Sequence, residues 1–224
     1  MKMRCRILEK IELVIFDMDG LILDTERLYL EYGLEVFKNL GYDITEEIFL
    51  GTVGMTDAGT GNYYINLYGD DFDYGVIADK IDEKLLLTSK NGEVGLKSGL
   101  FELLEFLEKK GVKKAVATST SRKKAEYMLE NAGILDRFDF LVCGDEVKNG
   151  KPNPEIFLKA AERAGVTPKK CMVLEDSHNG LRAANRAEMI PVMIPDLLKS
   201  NDEIEKIIYK NLDTLECVIE LLKI

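Results

Sequence analysis

Short apolar runs recur along this chain and are separated by longer segments with helical periodicity. Residues 13–16 are four consecutive apolar residues that stop at two aspartates and a glycine. A short apolar run that ends in a turn signal is typical of a buried strand in a parallel sheet. Further strands are predicted at 115–118, 138–143, 171–174 and 190–194.

Helical patterns connect these strands. Leu28, Tyr32 and Val36 recur at a spacing of four and predict a helix from about residue 25 to residue 39. Strands that alternate with helices of about ten residues indicate βαβ units, which build a parallel sheet with right-handed crossovers. The predicted fold class is therefore α/β, with a doubly wound parallel sheet. Later helices are predicted at 99–110, 122–131, 154–164 and 181–188, and closing segments at 203–210 and 214–222.

The stretch between residues 28 and 97 differs from the rest because it contains no apolar strand run. Its glycines follow no strand and match neither the Walker nor the dinucleotide-binding spacing, so they are interpreted as flexible joints. We expect an α/β core domain of residues 1–27 and 98–224, with a small helical cap domain of residues 28–97 inserted after the first strand. The helical segments predicted within the insert lie at 45–50, 56–67 and 74–89.

The composition narrows the classes of protein that the chain can represent. With 224 residues, 46% of them hydrophobic, the chain can build one large domain or a domain with a smaller insert. Forty acidic against thirty basic residues give a formal charge of −10. This charge argues against nucleic acid or an anionic membrane surface as the main partner, so an anionic substrate would need a local cation.

The cysteines indicate neither a disulfide framework nor a zinc site. Cys5, Cys143, Cys171 and Cys217 lie far apart and form no Cys-x-x-Cys pair, so they are expected to be reduced packing residues. The basic N-terminal residues are followed by no apolar region of signal-peptide length, and no segment is long enough to span a bilayer. A cytoplasmic protein is expected.

Polar side chains follow four of the predicted strands. In a parallel sheet all strands point the same way, so the residues that follow them gather at one edge even when they are distant in sequence. That edge is where open α/β sheets bind ligands. The candidates are Asp17 and Asp19, Thr118 and Ser119, Lys151, and Glu175 with Asp176.

The four carboxylates in this set require a positive partner. Two carboxylates about 4 Å apart repel by roughly 4 kcal/mol at an effective dielectric constant near 20, so without cations they should not all stay ionised. An all-oxygen set of ligands with room for a substrate phosphate suits Mg²⁺. His178 is the only histidine, and no cluster of histidine and cysteine suggests zinc. Lys151 supplies a second positive charge, and Thr118 and Ser119 offer donors to phosphate oxygens.

Four motifs contain these candidates, and together they indicate a family. They are FDMDGLILDTE at 16–26, ATSTS at 117–121, GKPNP at 150–154 and LEDS at 174–177. On these motifs the chain resembles the haloacid dehalogenase superfamily, specifically its phosphatase and β-phosphoglucomutase-like branch. The motifs occur in the family's order with its usual spacing, and a helical insert stands where the family has its cap, so the resemblance covers nearly the whole chain.

The resemblance implies roles for the acids. Asp17 would attack the substrate phosphorus and form an aspartyl-phosphate, while Asp19 would protonate the leaving oxygen and then activate the water that clears the intermediate. Mg²⁺ would be held by Asp17, the backbone carbonyl of Asp19 and Asp176. Glu175 would act mainly through metal-bound water.

The resemblance also implies that Lys151, with Thr118 or its neighbour Ser119, grips the phosphate. Residues 24–26, by contrast, are interpreted as a helix start, because acids in a first turn are favoured by the helix dipole. His178 invites a serine-triad interpretation, but adjacent residues of a helix do not face one another, so a surface or capping role is preferred.

The insert is expected to act as a lid and to read the part of the substrate that is not phosphate. Mutases of this branch carry a histidine in the helix after the first motif, and the corresponding residue here is Tyr29. They also use a cap arginine for a second phosphate, but no arginine lies between Arg27 and Arg122. Lys80 matches a cap lysine of the mutases, and Arg122 lies close to the predicted phosphate-binding turn. Tyr29, Lys80 and Arg122 are therefore candidate substrate-binding residues.

These observations favour a Mg²⁺-dependent phosphatase that acts on a small phosphorylated metabolite, such as a sugar or polyol phosphate, as a monomer or weak homodimer. The alternative within the branch is a β-phosphoglucomutase-like mutase that needs a bisphosphate primer. A third hypothesis is a non-catalytic phosphometabolite-binding protein, which would require a blocked pocket. A dehalogenase is disfavoured because the second aspartate and the metal-binding acids match the phosphoryl-transfer pattern.

Overall fold

The computed structural model of the protein describes residues 10–53 and 57–223. The basic N-terminal residues and Cys5 lie outside the described residues, and so does the first residue of the helix predicted at 56–67. Within the described part, no helix is both long enough and apolar enough to cross a lipid bilayer.

Six strands form one sheet in the order β3-β2-β1-β4-β5-β6, and every neighbouring pair is parallel. This arrangement confirms the predicted α/β fold class. The strand order runs outward from β1 to β3 and then crosses once to β4 on the other side, which leaves β1 flanked by β2 and β4. The strands are β1 (Leu13–Phe16), β2 (Lys113–Ala117), β3 (Phe140–Val142), β4 (Cys171–Glu175), β5 (Ile190–Met193) and β6 (Lys210–Asn211).

Helices cover both faces of the sheet, which is what makes the fold doubly wound. Val14 and Phe16 point into one apolar cluster that contains Leu103, whereas Leu13 and Ile15 point into the opposite cluster. Successive side chains of a strand alternate between faces, so a strand apolar on both faces must be buried on both. The helices are α1 (Glu26–Asn39), α2 (Glu46–Leu50), α3 (Asp57–Tyr68), α4 (Tyr74–Lys90), α5 (Leu100–Lys110), α6 (Arg122–Asn131), α7 (Glu155–Ala164), α8 (His178–Arg186), α9 (Ile204–Ile207) and α10 (Val218–Leu222).

Helices α1–α4 build a hydrophobic cluster of their own, apart from the two clusters of the sheet. Aromatic rings dominate it: the ring centroids of Phe37 and Tyr64 lie 4.8 Å apart, and those of Phe37 and Phe72 lie 5.8 Å apart. Such ring pairs stabilise a small core beyond the area that they bury. Helices α1–α4 are therefore a helical layer with a hydrophobic cluster of their own.

The two chain segments that join this layer to the sheet run side by side. The N–H of Asp24 donates to the carbonyl of Gly95 at 2.9 Å, and the N–H of Lys97 donates to the carbonyl of Ile22 at 3.0 Å. A bridge of antiparallel type pairs Leu23 with Leu96. Entry to and exit from the helical layer therefore share one short, hydrogen-bonded connection.

The end of the chain was the least predictable part of the fold. Strand β6 has two residues, both exposed and polar, so it carries none of the apolar signal that predicted the other strands. Strand β3 is shorter than the predicted 138–143 at both ends, and a 3₁₀ turn of residues 135–137 precedes it. Cys143 and Cys171 are buried free cysteines, as expected, whereas Cys217 is exposed.

Candidate active site

The register of the three central strands determines where the candidate residues lie. Phe16 pairs with Val116 of β2 and with Leu174 of β4. The next residue, Asp17, donates its N–H to the carbonyl of Leu174 at 3.0 Å. The residues that follow β1, β2 and β4 are therefore brought to the same edge of the sheet, as the sequence predicted.

Lys151 lies between two of the acids at this edge. Its ammonium donates to the carboxylate of Asp17, to Oε1 of Glu175 at 2.6 Å and to the carbonyl of Ala117 at 3.2 Å. Burial disfavours the charged form of this lysine, but Asp17 and Glu175 outweigh that effect and raise the pKa of Lys151 above its ordinary value. Lys151 therefore contributes positive charge to a buried acidic site.

Three carboxylates converge beside this lysine. Asp17, Glu175 and Asp176 are all buried, and one oxygen of each lies within 4.8 Å of the others. Burial raises the pKa of Asp17 to about 8, with Lys151 lowering it and Glu175 raising it further. Burial and the charges of Glu175 and Asp17 also raise the pKa of Asp176. One lysine does not balance three acids, and an all-oxygen set of this kind fits a hard divalent cation such as Mg²⁺.

Glycines make the close approach of these acids possible. Gly20 has a φ of +75°, and a Cβ at this position would lie 2.4 Å from Oδ2 of Asp176. A Cβ at Gly180 in α8 would lie 1.7 Å from Oε1 of Glu175. Any side chain at either position would collide with a site carboxylate, so both glycines are required by the geometry of the site.

Both oxygens of Glu175 have protein partners. Oε1 accepts from Lys151, and Oε2 accepts from the N–H of Ser177 at 2.9 Å and from its hydroxyl at 2.8 Å. The hydroxyl of Ser177 also accepts from the N–H of Gly180, so it caps α8. Glu175 is therefore fixed in orientation and joins Lys151 to the start of α8.

Two threonines hold the carboxylate of Asp19. The hydroxyl of Thr25 donates to Oδ1 of Asp19 at 3.0 Å, and the hydroxyl of Thr120 donates to Oδ2 at 2.9 Å. The side chain of Asp19 is not part of the three-carboxylate cluster. Asp19 is thus a separately oriented acid next to the cluster.

Sequence reasoning missed both threonines. Thr25 was interpreted as part of a helix start, and it does lie at the N-cap position of α1. Its hydroxyl serves Asp19 instead and also accepts from the N–H of Gly20 at 3.3 Å. Thr120 stands two residues after Thr118 in a run of four hydroxyl residues, which was the signal available for it.

The predicted phosphate-binding turn follows β2. The N–H of Thr118 donates to the carbonyl of Val142, and its buried hydroxyl accepts from the N–H of Thr120 at 3.0 Å. Ser119 is exposed, and its carbonyl lies 2.0 Å from where a Cβ of Gly144 would be. The segment after β3 therefore packs directly against this turn and fixes it.

The remaining candidates differ in their surroundings. The phenol of Tyr29 donates to Oδ1 of Asp82 at 2.8 Å and accepts from Lys124 at 2.7 Å. Lys80 is exposed on α4, and its predicted substrate contact stays a prediction.

Arg122 and His178 have structural partners. The guanidinium of Arg122 donates to Oε1 of Glu126 at 2.8 Å, to the carbonyl of Leu141 at 2.9 Å and to Glu146. These bonds tie α6 to the end of β3, and a substrate contact of Arg122 stays a prediction. His178 Nε2 hydrogen-bonds the carbonyl of Lys199 at 2.9 Å, in keeping with the surface or capping role preferred for it.

Comparison with known proteins identifies the family. The sequence profile of the family described as "Haloacid dehalogenase-like hydrolase" matches residues 14–194, which include every strand of the sheet except β6 and the first residue of β1. The chain belongs to this family. The resemblance inferred from the four motifs is thereby confirmed.

Named relatives of this haloacid dehalogenase-like hydrolase include phosphatases. The "Phosphorylated carbohydrates phosphatase" of Thermotoga maritima is 36% identical over 181 residues, which are 79% of this chain and 81% of the relative. The "Probable pseudouridine-5′-phosphatase" of Drosophila melanogaster is 36% identical over 201 residues, 85% of this chain and 84% of the relative. The crystal structure of β-phosphoglucomutase from Clostridium difficile matches with a TM-score of 0.79 at 25% identity and covers 95% of this chain and 96% of that one. The chain is therefore an enzyme of the phosphatase branch.

Proposed function

We propose that this enzyme is a Mg²⁺-dependent phosphatase that hydrolyses the monophosphate of a small sugar or polyol through an aspartyl-phosphate on Asp17. The observation that carries the proposal is the buried trio of Asp17, Glu175 and Asp176, in which Asp17 and Glu175 accept from the ammonium of Lys151, with Asp19 oriented separately beside it. The name of the Thermotoga maritima relative, a phosphatase of phosphorylated carbohydrates, supports the substrate class.

In the first step, a carboxylate oxygen of Asp17 attacks the phosphorus of the monoester. The bond between phosphorus and the ester oxygen breaks, and that oxygen takes the proton of the Asp19 carboxylic acid as the alcohol leaves. Lys151 and the turn at Thr118 and Ser119 hold the phosphate oxygens. The nucleophile becomes a mixed anhydride, and Asp19 is left ionised.

In the second step, a water molecule attacks the phosphorus of the aspartyl-phosphate. Asp19 accepts a proton from this water, and the bond between phosphorus and the Asp17 oxygen breaks to release inorganic phosphate. Thr25 and Thr120 keep both oxygens of Asp19 in one place during this exchange of roles, because each donates to a different oxygen. An acid that must first donate and then accept a proton at the same position benefits from such fixing.

Asp17, Asp176 and the backbone carbonyl of Asp19 would hold Mg²⁺. Bound there, Mg²⁺ supplies positive charge that lowers the repulsion between the Asp17 carboxylate and the phosphate dianion. Glu175, held by Lys151 and Ser177, keeps the lysine in place and adds negative charge beside the ion.

The helical layer of α1–α4, or residues 28–97, is proposed to act as a cap over the sheet edge. It has a core of its own and joins the sheet through one paired connection, so it can move as a unit. Closure would exclude water from the aspartyl-phosphate until the alcohol has left. The residues that read the alcohol are then expected on this layer and on the helix that faces it.

The mutase is the second candidate, because the structure of a β-phosphoglucomutase matches this chain over nearly its full length. Where such mutases carry a histidine, this chain has Tyr29, whose hydroxyl is engaged by Asp82 and Lys124. A mutase would convert a hexose 1-phosphate into the 6-phosphate when primed with a bisphosphate and would liberate little phosphate. We expect the opposite balance.

The proposal is tested by measuring phosphate release from a panel of monoesters in the presence of Mg²⁺. We expect turnover of sugar or polyol phosphates, near-complete loss of turnover in Asp17→Asn, and loss on removal of divalent cations by a chelator. If Asp17→Asn kept most of the activity, Asp17 would not be the nucleophile.

A further inference from the structure

Three polar side chains from three helices meet next to the site, and none of them belongs to the four motifs. They are Tyr29 of α1, Asp82 of α4 and Lys124 of α6. The phenol donates to Oδ1 of Asp82 at 2.8 Å, and Lys124 donates to the phenol at 2.7 Å and to the same carboxylate. The ammonium also lies 5.3 Å from the centroid of the Tyr29 ring. We call this set the Tyr29 cluster.

The Tyr29 cluster is tied to Asp19 from two sides. Thr25, which donates to Asp19, stands four residues before Tyr29, and the N–H of Tyr29 donates to the carbonyl of Thr25 at 2.8 Å. Thr120, which also donates to Asp19, precedes Ser121, the N-cap of α6, and Lys124 lies in the first turn of that helix. Residues four apart on a helix share a face. Tyr29 therefore lies about one helical turn beyond Thr25, and Lys124 lies in the helix that follows the turn carrying Thr120.

Electrostatics support this placement. Burial is the largest cause that raises the pKa of Tyr29, and the charge of Asp19 comes next, ahead of that of Asp82, which is hydrogen-bonded to the phenol. The phenol therefore lies within the electrostatic influence of the acid that would protonate the leaving oxygen.

The leaving alcohol meets this cluster if the proposed function holds, and the inference rests on that function. Asp17 attacks the phosphorus from one side, and the ester oxygen departs on the side of Asp19. The carbon skeleton attached to that oxygen extends away from the sheet edge, toward the helices that carry the threonines. The Tyr29 cluster joins these two helices to α4.

The Tyr29 cluster has no net charge when Lys124 and Asp82 are both ionised, which suits an uncharged alcohol. Lys124 is neutralised by Asp82, so it offers no free positive charge to a second anion. Among the hydrogen bonds of the described residues, those to Asp82 end on Oδ1, and its side chain is 40% exposed, which leaves Oδ2 as an acceptor. Hydroxyl groups can donate to Oδ2 of Asp82 and accept from Lys124. A second phosphate or a carboxylate would instead face the negative charges of Asp82 and Asp19.

We propose that Tyr29, Asp82 and Lys124 determine specificity by binding hydroxyl groups of the leaving alcohol and by rejecting alcohols that carry a second anionic group. The substrate class is thereby narrowed to monophosphates of uncharged polyols or sugars. These residues are proposed to contact only the alcohol. Their substitution should therefore leave kcat/KM unchanged for a phosphate ester whose alcohol carries no hydroxyl groups.

The test compares two substrates in Asp82→Asn and Lys124→Met. The hydroxyl-bearing probe is a hexitol 6-phosphate, and the probe without hydroxyl groups is p-nitrophenyl phosphate, each assayed with Mg²⁺. We expect kcat/KM for the hexitol phosphate to fall about tenfold or more, mostly through KM, because a charged hydrogen-bond partner is lost. We expect kcat/KM for p-nitrophenyl phosphate to stay within about twofold.

Asp82→Asn also removes the charge that is proposed to repel a second anion. We therefore expect the ratio of kcat/KM for the hexitol phosphate to kcat/KM for a hexose 1,6-bisphosphate to be smaller in Asp82→Asn than in the unmodified chain. The matched control is Glu35→Gln, which breaks the pair between Glu35 and Lys84 at 2.9 Å. This pair joins the same two helices, α1 and α4, but its side chains are 49% and 37% exposed. The control should leave all three substrate ratios unchanged.

Several outcomes would overturn the inference. An equal fall for both probes would mean that the cluster only holds the helices together. An unchanged ratio of the two probes in Asp82→Asn and Lys124→Met would mean that the alcohol does not reach the cluster. Failure of the unmodified chain to release phosphate from either probe or from any sugar or polyol phosphate would overturn the proposed function itself, and this inference with it.

Discussion

The sheet edge around Asp17 and the Tyr29 cluster use charge in opposite ways. At the edge, three buried carboxylates share one lysine, so negative charge is in excess and a cation is needed. In the cluster, one lysine is matched by one aspartate that is 40% exposed. An unbalanced site attracts an ion, whereas a balanced site offers hydrogen bonds without net charge. Phosphoryl chemistry and the proposed recognition of the alcohol therefore reside on separate elements.

The largest expected effect comes from removing the lysine of the edge. Lys151→Met leaves the carboxylates of Asp17 and Glu175 buried without their partner, and breaking a buried ion pair in this way costs about 3–5 kcal/mol. We expect the free energy of unfolding, measured with urea, to fall by that amount. Phosphate release should fall about 10²–10³-fold, because a donor to the phosphate is lost. Activity within tenfold of the unmodified enzyme would show that the lysine is not needed for chemistry.

The second-largest expected effect comes from removing Lys97, which lies at the connection between the helical layer and the sheet. Lys97 pairs with Asp196 at 2.9 Å and with Asp24 at 3.3 Å, and the side chain of Asp196 is only 4% exposed. Oδ2 of Asp196 has no hydrogen-bond partner among the described residues, so Lys97 is its main compensation. Lys97→Met should lower the free energy of unfolding by about 2–4 kcal/mol in urea denaturation.

A matched control exists for the Lys97 substitution. Lys109 pairs with Glu105 at 3.5 Å, with side chains that are 77% and 59% exposed. Lys109→Met should change the free energy of unfolding by less than about 0.5 kcal/mol, because exposed pairs are screened by water. Equal effects of the two substitutions would show that burial of Asp196 does not matter.

A smaller effect on activity is expected from Thr120, which lies between the sheet edge around Asp17 and the Tyr29 cluster. Thr120→Val keeps the branched shape but removes the hydroxyl that donates to Oδ2 of Asp19. We expect kcat for a sugar phosphate to fall about tenfold with KM nearly unchanged, because the acid is less well fixed while the binding groups remain. A steady-state titration of substrate separates the two parameters. A rise in KM alone would assign Thr120 to binding.

The smallest effect lies outside both regions and depends on pH. Burial of Glu146 raises its pKa, but hydrogen bonds from Arg163, the N–H of Cys143 and Arg122 outweigh this and lower it to about 2. Since the folded pKa lies below the unfolded one, Glu146 stabilises the fold above pH 4.5, and this contribution is lost as pH falls toward 2. Glu146→Gln should therefore cost about 1–2 kcal/mol at pH 7 and progressively less in acid. A difference that grows in acid would contradict this sign.

The sequence predicted the edge better than the cluster. Strands such as β1 are apolar on both faces, so their position and the acids that follow them were visible as runs and motifs. Thr25 and Thr120 were not recognised, because a hydroxyl residue is also a good cap or turn residue, and only the folded chain shows that both reach Asp19. Strand β6 was missed because its two residues are polar and exposed.

The cluster was hidden for a different reason. Tyr29, Asp82 and Lys124 come from three helices that are far apart in sequence, and no strand end or motif links them. Their meeting depends on how α4 packs against α1 and α6. Tyr29 was singled out by its place after the first motif, whereas Asp82 and Lys124 look like ordinary charges on a helix surface.

The central claim is that Asp17 takes the phosphoryl group at this edge of the sheet. It is tested most directly by rapid acid quenching of the enzyme during turnover of a sugar phosphate, followed by mass spectrometry of the peptide that contains residue 17. The account predicts a mass gain of one phosphoryl group on Asp17, absent in Asp17→Asn and present in Glu35→Gln. Turnover without any phosphorylated peptide at this position, or with the phosphoryl group on another residue, would contradict it.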